Sequence, residues 1–293
     1  MSKAERLADC TDCVPPADVF SLIADETRVS ILEALWETDT PARFSEVRAA
    51  VGMSDSAQFN YHLDRLTEQF VRKTDRGYEL RTAGGRVVQA ILAGSFTEHP
   101  TREIDIEDPC VECSARLRAR YDDEMLRIAC PACSHGHGEY PFPPGGLHDR
   151  TDAEILDAFD QRVRHLHCLA KDGVCPECNG RTRTRIERGG ECCLGASLRA
   201  VHVCQQCGDE LCSAVGLGLL DQSTVVGFYE NHGVELSETP YWRLRWCVDD
   251  HSAELVSEDP ECVAVEMTAG DERLRVVVDE TLSIVETERI LED

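Results

Sequence analysis

Apolar residues near the N-terminus recur at three- and four-residue intervals, the periodicity of helices that bury one face. From Ala17 to Trp36 the pattern is interrupted at Asp25-Glu26-Thr27, which offers a helix cap and indicates two helices. A third helix is predicted from Phe44 to Val51, and Gly52 can end it because glycine tolerates a left-handed conformation. The chain is therefore predicted to begin with three short helices.

A fourth helix is predicted from Ser54 to Gln69, with Ser54 or Ser56 as its cap. One face of this helix is apolar and comprises Phe59, Leu63, Leu66 and Phe70. The other face is polar and comprises Gln58, Asn60, Tyr61, His62 and Arg65. Residues 71–80 then predict a hairpin about an Asp-Arg-Gly turn, with the cations Arg72, Lys73 and Arg76. Residues 82–94 return to helical spacing.

Beyond residue 98 most of the predicted elements are short strands. Strand patterns occupy residues 115–121 and 125–129, a capping box at Thr151 opens a helix, and residues 221–233 predict another helix. About four antiparallel strands are expected near the C-terminus, at residues 241–248, 262–267, 273–278 and 282–285. The aromatic residues of this part either pack in a core or line a ligand pocket; they are Tyr229, Tyr241, Trp242 and Trp246. The expected fold class is α+β.

Eight of the 16 cysteines form two sets of paired CxxC motifs. The first set is Cys110, Cys113, Cys130 and Cys133, and the second set is Cys175, Cys178, Cys204 and Cys207. Two CxxC turns can offer Zn²⁺ four thiolates in a tetrahedron, which leaves no open position for water or substrate. We therefore expect two zinc ribbons, each with one structural zinc ion. Gly180 and Gly208 follow two of these motifs and can ease their turns.

The remaining eight cysteines suggest a different, thiol-based role. They are Cys10, Cys13, Cys168, Cys192, Cys193, Cys212, Cys247 and Cys262. Cys10 and Cys13 precede the predicted fold. Three roles are open for them: sensor thiols, part of a disordered tail, or half of a site that a second subunit completes. Arg181, Arg183 and Arg185 alternate in the second ribbon and either contact nucleic acid or form a salt-bridged, solvated face.

The net charge of −25 argues against nucleic acid as a partner until its distribution is considered. Residues 1–39 carry 3 basic and 9 acidic side chains, residues 40–95 carry 8 and 6, and residues 96–293 carry 19 and 40. The middle segment alone is positive. Only 3 of the 30 basic residues are lysine, and an acidic surface poor in lysine is typical of halophilic proteins. In molar salt the screening length is about 3 Å, so distant acidic groups hardly repel DNA.

The segments ADETRVSILEALW, FSEVRAAVG and QFNYHLDRL, with the hairpin, resemble the winged helix-turn-helix of ArsR-type transcription regulators over residues 15–95. That resemblance implies a homodimer that inserts the helix Ser54–Gln69 into the major groove of double-stranded DNA, with the hairpin beside the backbone. Base edges or phosphates would then meet Ser54, Ser56, Gln58, Asn60, Tyr61, His62, Arg65, Arg72, Lys73 and Arg76. No cysteine lies between Cys13 and Cys110, so metal sensing at the usual ArsR positions is not expected.

Nearly the whole chain resembles a haloarchaeal group that joins such a winged helix to a cysteine-rich C-terminal domain. The matching pieces are QFNYHL, the CxxC pairs, EYPFPPGGL, GVCPEC and the stretch from FYENHGVEL to PYWRLRWCV. The expected domains are a flexible tail at 1–14, the winged helix at 15–98, ribbons at 99–145 and 146–212, and a sensing or dimerisation domain at 213–293. The helix that opens at Thr151 is expected to bridge the ribbons.

The expected function is therefore a dimeric transcription regulator, with a small molecule or a redox change as its effector. An adaptor of the transcription or translation machinery and a thiol sensor are the alternatives. No catalytic motif is recognisable, so we do not expect an enzyme. The N-terminus has no apolar core typical of a signal peptide and no stretch is long enough to span a membrane, so a cytoplasmic protein is expected.

Overall fold

The computed structural model describes residues 13–189 and 196–291, which divide between Thr97 and Glu98 into two compact units. Within these residues the chain forms eight α-helices and several antiparallel sheets, so the α+β class is confirmed. Cys10, Cys192 and Cys193 lie outside the described residues. Among the helices of the described ranges, none has the length and apolar composition that crossing a membrane requires.

The first unit contains five helices and one hairpin. The helices are α1 (Pro16–Ile23), α2 (Glu26–Glu37), α3 (Phe44–Val51), α4 (Ser56–Leu66) and α5 (Thr82–Leu92). As the sequence predicts, Asp25 separates α1 from α2 and caps α2, since its carboxylate accepts the Arg28 N–H at 3.1 Å. Gly52 ends α3 with φ +74°, as predicted.

Helix α4 is shorter than predicted and has a different cap. The Asp55 carboxylate accepts the N–H groups of Ala57 and Gln58 at 2.8 and 3.1 Å, whereas no cap hydrogen bond comes from Ser54 or Ser56. The prediction of a serine cap is therefore wrong. A carboxylate competes well for this position because it also carries the negative charge that a helix N-terminus favours.

We expect Asp55→Ala to lower the midpoint of thermal unfolding of the first unit by roughly 5 °C, since two N–H groups would lose their acceptor. Ser54→Ala is the matched control, because Ser54 is a neighbouring exposed residue without a cap bond. Thermal denaturation of both variants, followed by circular dichroism, measures the difference. Equal midpoints in the two variants would contradict the cap assignment.

The predicted hairpin is present as β1 (Val71–Thr74) and β2 (Gly77–Leu80). Tyr78 also forms an antiparallel bridge to Ala42, which ties the hairpin to the residues before α3. Gly77 has φ +148°, and a Cβ there would lie 2.3 Å from the Ala42 carbonyl oxygen. Glycine is required at this position by both conformation and space.

The second unit begins with a sheet in the order β3-β4-β5-β6, formed by Arg102–Pro109, Arg116–Asp122, Met125–Ala129 and Gly136–Pro141. Helix α6 (Asp152–Lys171) follows, opened by the predicted capping box between Thr151 and Glu154. A second sheet, β7-β8-β9, consists of Thr182–Arg188, Leu198–Cys204 and Glu210–Ala214. The strands predicted at residues 115–121 and 125–129 are thereby confirmed.

The C-terminal part consists of α7 (Ser223–Asn231), the short α8 (Arg245–Val248) and a four-stranded sheet. Its strands, in sheet order, are β10 (Ala253–Glu258), β11 (Glu261–Ala269), β12 (Glu272–Asp279) and β13 (Ile284–Leu291). The number of strands matches the prediction, but the strand expected at residues 241–248 is wrong, since a 3₁₀ turn and α8 stand there. Tertiary contacts override the alternation: Tyr241 and Trp242 are both buried, and the buried Asp160 accepts the Tyr241 N–H at 2.7 Å.

One continuous hydrophobic core joins the segments of the second unit. It includes Leu117 of β4, Phe159 of α6, Phe228 of α7 and Val276 of β12. The four aromatic residues with two possible roles, Tyr229, Tyr241, Trp242 and Trp246, are all buried in this core. One apolar face of α6 also packs against this core: Ile155, Phe159, Val163 and Leu166 are buried.

Candidate functional site

The first four cysteines lie in the β3–β4 and β5–β6 turns, and their side chains converge on one point. The Sγ atoms of Cys110 and Cys133 are 3.7 Å apart, and those of Cys113 and Cys130 are 3.4 Å apart. All four Sγ atoms lie within 4.8 Å of one another. Thiolates held about 2.3 Å from a tetrahedral zinc ion would be about 3.8 Å apart, so this arrangement fits one metal ion.

The second four cysteines have the same geometry in the β7-β8-β9 sheet. The Cys175 and Cys207 Sγ atoms are 3.7 Å apart, and those of Cys178 and Cys204 are 3.5 Å apart. The four Sγ atoms of this cluster also lie within 4.8 Å of one another. The two clusters that the sequence predicts are therefore confirmed as groups that can hold two metal ions.

The four CxxC turns share a backbone conformation that aims the two sulfurs of each turn at one point. In each turn the residue after the second cysteine is left-handed, with φ 62° at Ser114, 63° at Ser134, 57° at Asn179 and 80° at Gly208. The N–H of that residue donates to the carbonyl of the first cysteine; for Ser114 and Cys110 the distance is 2.9 Å. The N–H of the first cysteine donates to the carbonyl of the residue after the left-handed one, as Cys110 does to Ala115 at 2.7 Å.

The two glycines expected to ease these turns have different roles. Gly208 is left-handed, which eases its turn, but in the preceding motif the left-handed residue is Asn179 and not Gly180. A Cβ on Gly180 would lie 3.0 and 3.1 Å from the sulfurs of Cys178 and Cys204. Gly180 is therefore required because the chain passes very close to the thiols, and its N–H donates to the Cys178 sulfur at 3.4 Å.

Backbone N–H groups favour the thiolate form of one cysteine in each cluster. The N–H groups of Cys207 and Gln206 point at Cys204 and outweigh its partial burial, which lowers the Cys204 pKa to about 6. Burial opposes ionisation of Cys130, but the N–H groups of Cys133 and Ala132 lower its pKa to about 7. Because thiolate is the metal-binding form, Cys130 and Cys204 are the thiols of their clusters that ionise most readily for binding a cation.

A segment distant in sequence holds the first cluster in place. Trp242 donates its indole N–H to Asp108 at 2.8 Å, and Arg243 pairs with Asp108 at 2.8 Å. Arg245 donates to the Val111 carbonyl within the first CxxC turn. The sequence does not predict that residues 241–248 hold the first cluster, since only the folded chain brings these side chains against residues 108–111.

A buried imidazole separates the first cluster from the Trp242 carbonyl. His137 Nε2 lies 3.5 Å from Cys110 Sγ, and His137 Nδ1 lies 3.1 Å from the Trp242 carbonyl oxygen. Its ring stacks edge-on against His135, with centroids 5.2 Å apart. Four thiols already complete a tetrahedral set, so neither histidine is needed as a ligand.

The structure also brings together Glu112, Asp249 and His251, which no sequence spacing indicated. Arg245 lies between the two carboxylates, at 2.8 Å from Glu112 and 3.0 Å from Asp249. The guanidinium pairs with both acids, so the group forms an ion network beside the first cluster.

The predicted polar face of α4 is exposed at Gln58, Asn60, Tyr61 and Arg65. His62 was assigned to this face and the assignment is wrong, since its side chain is buried with Nδ1 3.4 Å from the Asp25 carboxylate. Its position follows from the helical spacing, because His62 lies next to buried Leu63 and three residues after buried Phe59. Ser54 and Ser56 are both exposed at the start of the helix.

The three cations of the hairpin lie on its exposed surface. Arg72 is paired with Glu79 at 2.7 Å, and the Lys73 ammonium lies 5.7 Å from the Tyr78 ring centroid. Arg76 occupies the turn, where its N–H donates to the Thr74 hydroxyl at 3.3 Å. Two of these cations, Lys73 and Arg76, are therefore not engaged with a carboxylate in the described part of the chain.

Two thiols outside the clusters are poorly suited to redox sensing. A hydrogen bond to the Asp221 carboxylate, together with burial, raises the Cys168 pKa to about 11. Complete burial raises the Cys247 pKa well above its ordinary value. Reactive thiols need a substantial thiolate fraction near neutral pH, which neither residue has.

Two family models match the chain. The model described as "Domain of unknown function (DUF7347)" matches residues 16–91, and the one described as "Domain of unknown function (DUF7351)" matches residues 107–284. No curated protein and no solved structure matches the chain. Since residues 107–284, which include both cysteine clusters, make up more than half of its length, the chain belongs to the DUF7351 family.

Proposed function

We propose that the chain is a dimeric, sequence-specific DNA-binding regulator of transcription, with an ArsR-like winged helix in its first unit and two structural zinc ions in its second. The observation that carries the proposal is the exposed polar face of α4, which follows a helix and a tight turn and precedes a basic hairpin. Helix, turn, helix and wing is the element order by which such domains enter a major groove.

The chemistry of α4 supports contact with base edges. Gln58 and Arg65 are exposed, and a glutamine or arginine side chain can form bidentate hydrogen bonds to adenine or guanine. Asn60 donates to Asp64 at 2.7 Å, so this amide would have to exchange its partner on binding. The opposite side of α4 is buried through Phe59, Leu63 and Leu66, which holds the helix rigidly.

The charge distribution supports contact with phosphates. Residues 40–95 carry 8 basic and 6 acidic side chains in a chain whose net charge is −25. Lys73 and Arg76 of the hairpin are exposed cations that would neutralise phosphates beside the groove. Two-fold symmetry of a dimer would give a pseudo-palindromic site with half-sites about 34–36 Å apart.

The metal identity follows from the donor set. Zinc is the metal that closed four-thiolate tetrahedra most commonly hold in structural sites, and closed sites have no position for substrate. The role proposed for both ions is to hold together the sheets that carry them.

Selection of binding sites from genomic fragments tests the DNA proposal. We expect the full chain to enrich one pseudo-palindromic sequence, and Arg65→Ala to bind it about 5- to 150-fold more weakly, which is the range for losing one base contact. Arg86→Ala is the matched control, because Arg86 is an exposed arginine of α5, outside the proposed helix-turn-helix. Failure to enrich any sequence, or equal affinities of the two variants for it, would refute sequence-specific recognition by α4.

A further inference from the structure

The two cysteine-rich sheets carry matching rows of alternating arginines. In the first sheet the row lies on β4 and comprises Arg116, Arg118 and Arg120. In the second sheet the row leads into β7 and comprises Arg181, Arg183 and Arg185. All six side chains are exposed, so the rows differ only in what surrounds them.

Carboxylates neutralise the first row. Arg116 pairs with Glu107 at 2.9 Å, Arg118 with Asp105 at 2.9 Å, and Arg120 lies 3.6 Å from an Asp122 carboxylate oxygen. The acids paired with the first two arginines come from the neighbouring strand β3. This row is a self-contained ion-pair network.

The second row lacks such partners. The residues opposite Arg183 and Arg185 on β8 are Val203 and Val201, so the neighbouring strand supplies no carboxylate. Arg185 bonds to Glu187 of its own strand at 2.8 Å. Within residues 13–189 and 196–291, Arg181 and Arg183 have no ion-pair partner.

These arginines border a groove of about 1000 Å³. Lys171, the last residue of α6, lines the same groove and likewise has no ion pair in the described part of the chain. Gln205 and Thr281 add an amide and a hydroxyl, and one carboxylate, Glu280, is present at the lining. Four cations thus surround a single concave surface in a chain that is otherwise strongly acidic.

We propose that this groove, bounded by Lys171, Arg181, Arg183 and Arg185, binds the phosphate backbone of duplex DNA. Guanidinium groups bind phosphate oxygens in a bidentate manner, and residues two apart on a strand place them about 6.7 Å from one another. The groove lining contains no aromatic side chain among the described residues, so the stacking that holds single strands is missing. The contact is therefore to phosphates, and it is independent of base sequence.

The choice of DNA as the ligand of this groove rests on the proposed function, but binding by the groove is tested separately. The groove variant carries Lys171→Gln, Arg181→Gln and Arg183→Gln in the full chain. The control variant carries Arg116→Gln, Arg118→Gln and Arg120→Gln, and it loses the same number of charges from the neutralised row. Zinc content and circular dichroism establish that both variants are folded.

The measurement is the affinity for a random-sequence DNA duplex as the KCl concentration is varied. We expect the groove variant to bind at least tenfold more weakly at low salt and its slope of log affinity against log salt to fall by about 2 to 3, roughly one per lost phosphate contact. The control variant should keep the slope of the unmodified chain. Arg65→Ala should keep it too, although its preference for the selected site is reduced.

The possible results separate the two proposals. If the unmodified chain selects a site but the groove and control variants have equal salt slopes, the groove proposal is overturned and the proposed function stands. If no site is selected while only the groove variant loses duplex binding, the groove proposal stands and sequence-specific regulation fails. Absence of any duplex binding, or tighter groove-dependent binding of single-stranded RNA than of duplex DNA, overturns the groove proposal.

Discussion

Replacing Cys175 with serine is expected to remove one of two bound zinc ions and to destabilise the second unit strongly. Cys175 is fully buried, and its Sγ faces that of Cys207 at 3.7 Å. A serine hydroxyl is a poor zinc ligand, so the remaining three thiols would bind the ion weakly. In zinc-finger peptides such ions contribute about 10–16 kcal/mol of binding free energy, which is available for folding only when the site is complete.

Metal analysis of purified protein gives the direct readout of this prediction. The unmodified chain should contain two zinc ions, Cys175→Ser about one, and the double variant Cys110→Ser, Cys175→Ser close to none. Thermal unfolding should begin at a markedly lower temperature in each variant, because the strands around the lost ion are no longer held together.

Cys262→Ser is the matched control for zinc loss. Cys262 is a half-buried thiol of β11 and belongs to neither cluster. This variant should keep two zinc ions and unfold close to the unmodified chain. If Cys175→Ser keeps two ions, or if the unmodified chain contains none, the assignment of zinc to these clusters is wrong.

The cysteine clusters could be predicted because their chemistry is local. A CxxC motif forms one tight turn by itself, so the sequence identifies each half of a site, and only the pairing of halves depends on the sheet. The details of the turns were less accessible. Asn179 is the left-handed residue, whereas Gly180 is glycine because a Cβ there would crowd the Cys178 and Cys204 sulfurs. The sequence pattern alone does not separate these two requirements.

Features that depend on tertiary contacts were predicted less well. The alternation at residues 241–248 suggested a strand, yet the Asp160 carboxylate accepts the Tyr241 N–H and the Trp242 indole reaches Asp108. Asp160 precedes Tyr241 by 81 residues along the chain. No local pattern reports a partner so far away, and these contacts favour a turn over the strand.

The two arginine rows illustrate the same limit. Arg116, Arg118 and Arg120 look like Arg181, Arg183 and Arg185 in sequence. Only the surroundings that the fold supplies distinguish them. Arg118 and Arg120 face acids of β3, whereas Arg183 and Arg185 face valines of β8. From the sequence, the second row is either a salt-bridged face or a nucleic-acid contact. Arg181 and Arg183 have no ion pair within the described residues, which supports the nucleic-acid contact.

Two buried histidines of the second unit make its stability depend on pH. His167 of α6 is fully buried, and neither ring nitrogen has a hydrogen-bond partner within the described ranges. His202 of β8 lies beside it, with ring centroids 5.7 Å apart, and shares a 2.8 Å hydrogen bond with the Thr184 hydroxyl. Burial and then the charge of His202 lower the His167 pKa to about 3, while burial and then Lys171 lower the His202 pKa to about 4.

Because both folded-state pKa values lie below the ordinary value of 6.5, the unfolded chain takes up protons first as the pH falls. The contribution of neutral histidines to stability is complete above pH 6.5 and decreases as the pH falls towards 4 and then 3. At pH 5 the expected loss is about 2 kcal/mol for each histidine, since one pKa unit corresponds to about 1.36 kcal/mol. Tyr140 packs edge-on against His167 and supplies no compensating charge.

His167→Leu should therefore reduce the loss of stability between pH 7.5 and pH 5 by about 2 kcal/mol, because one of the two proton-linked groups is removed. At pH 7.5 the variant should be at least as stable as the unmodified chain, since an apolar side chain replaces a buried polar ring without partners. His165→Leu is the matched control, because His165 lies exposed on the same helix and should leave the pH dependence unchanged. Urea unfolding followed by tryptophan fluorescence at both pH values measures the difference. A His167→Leu variant that loses as much stability on acidification as the His165→Leu control would contradict the linkage.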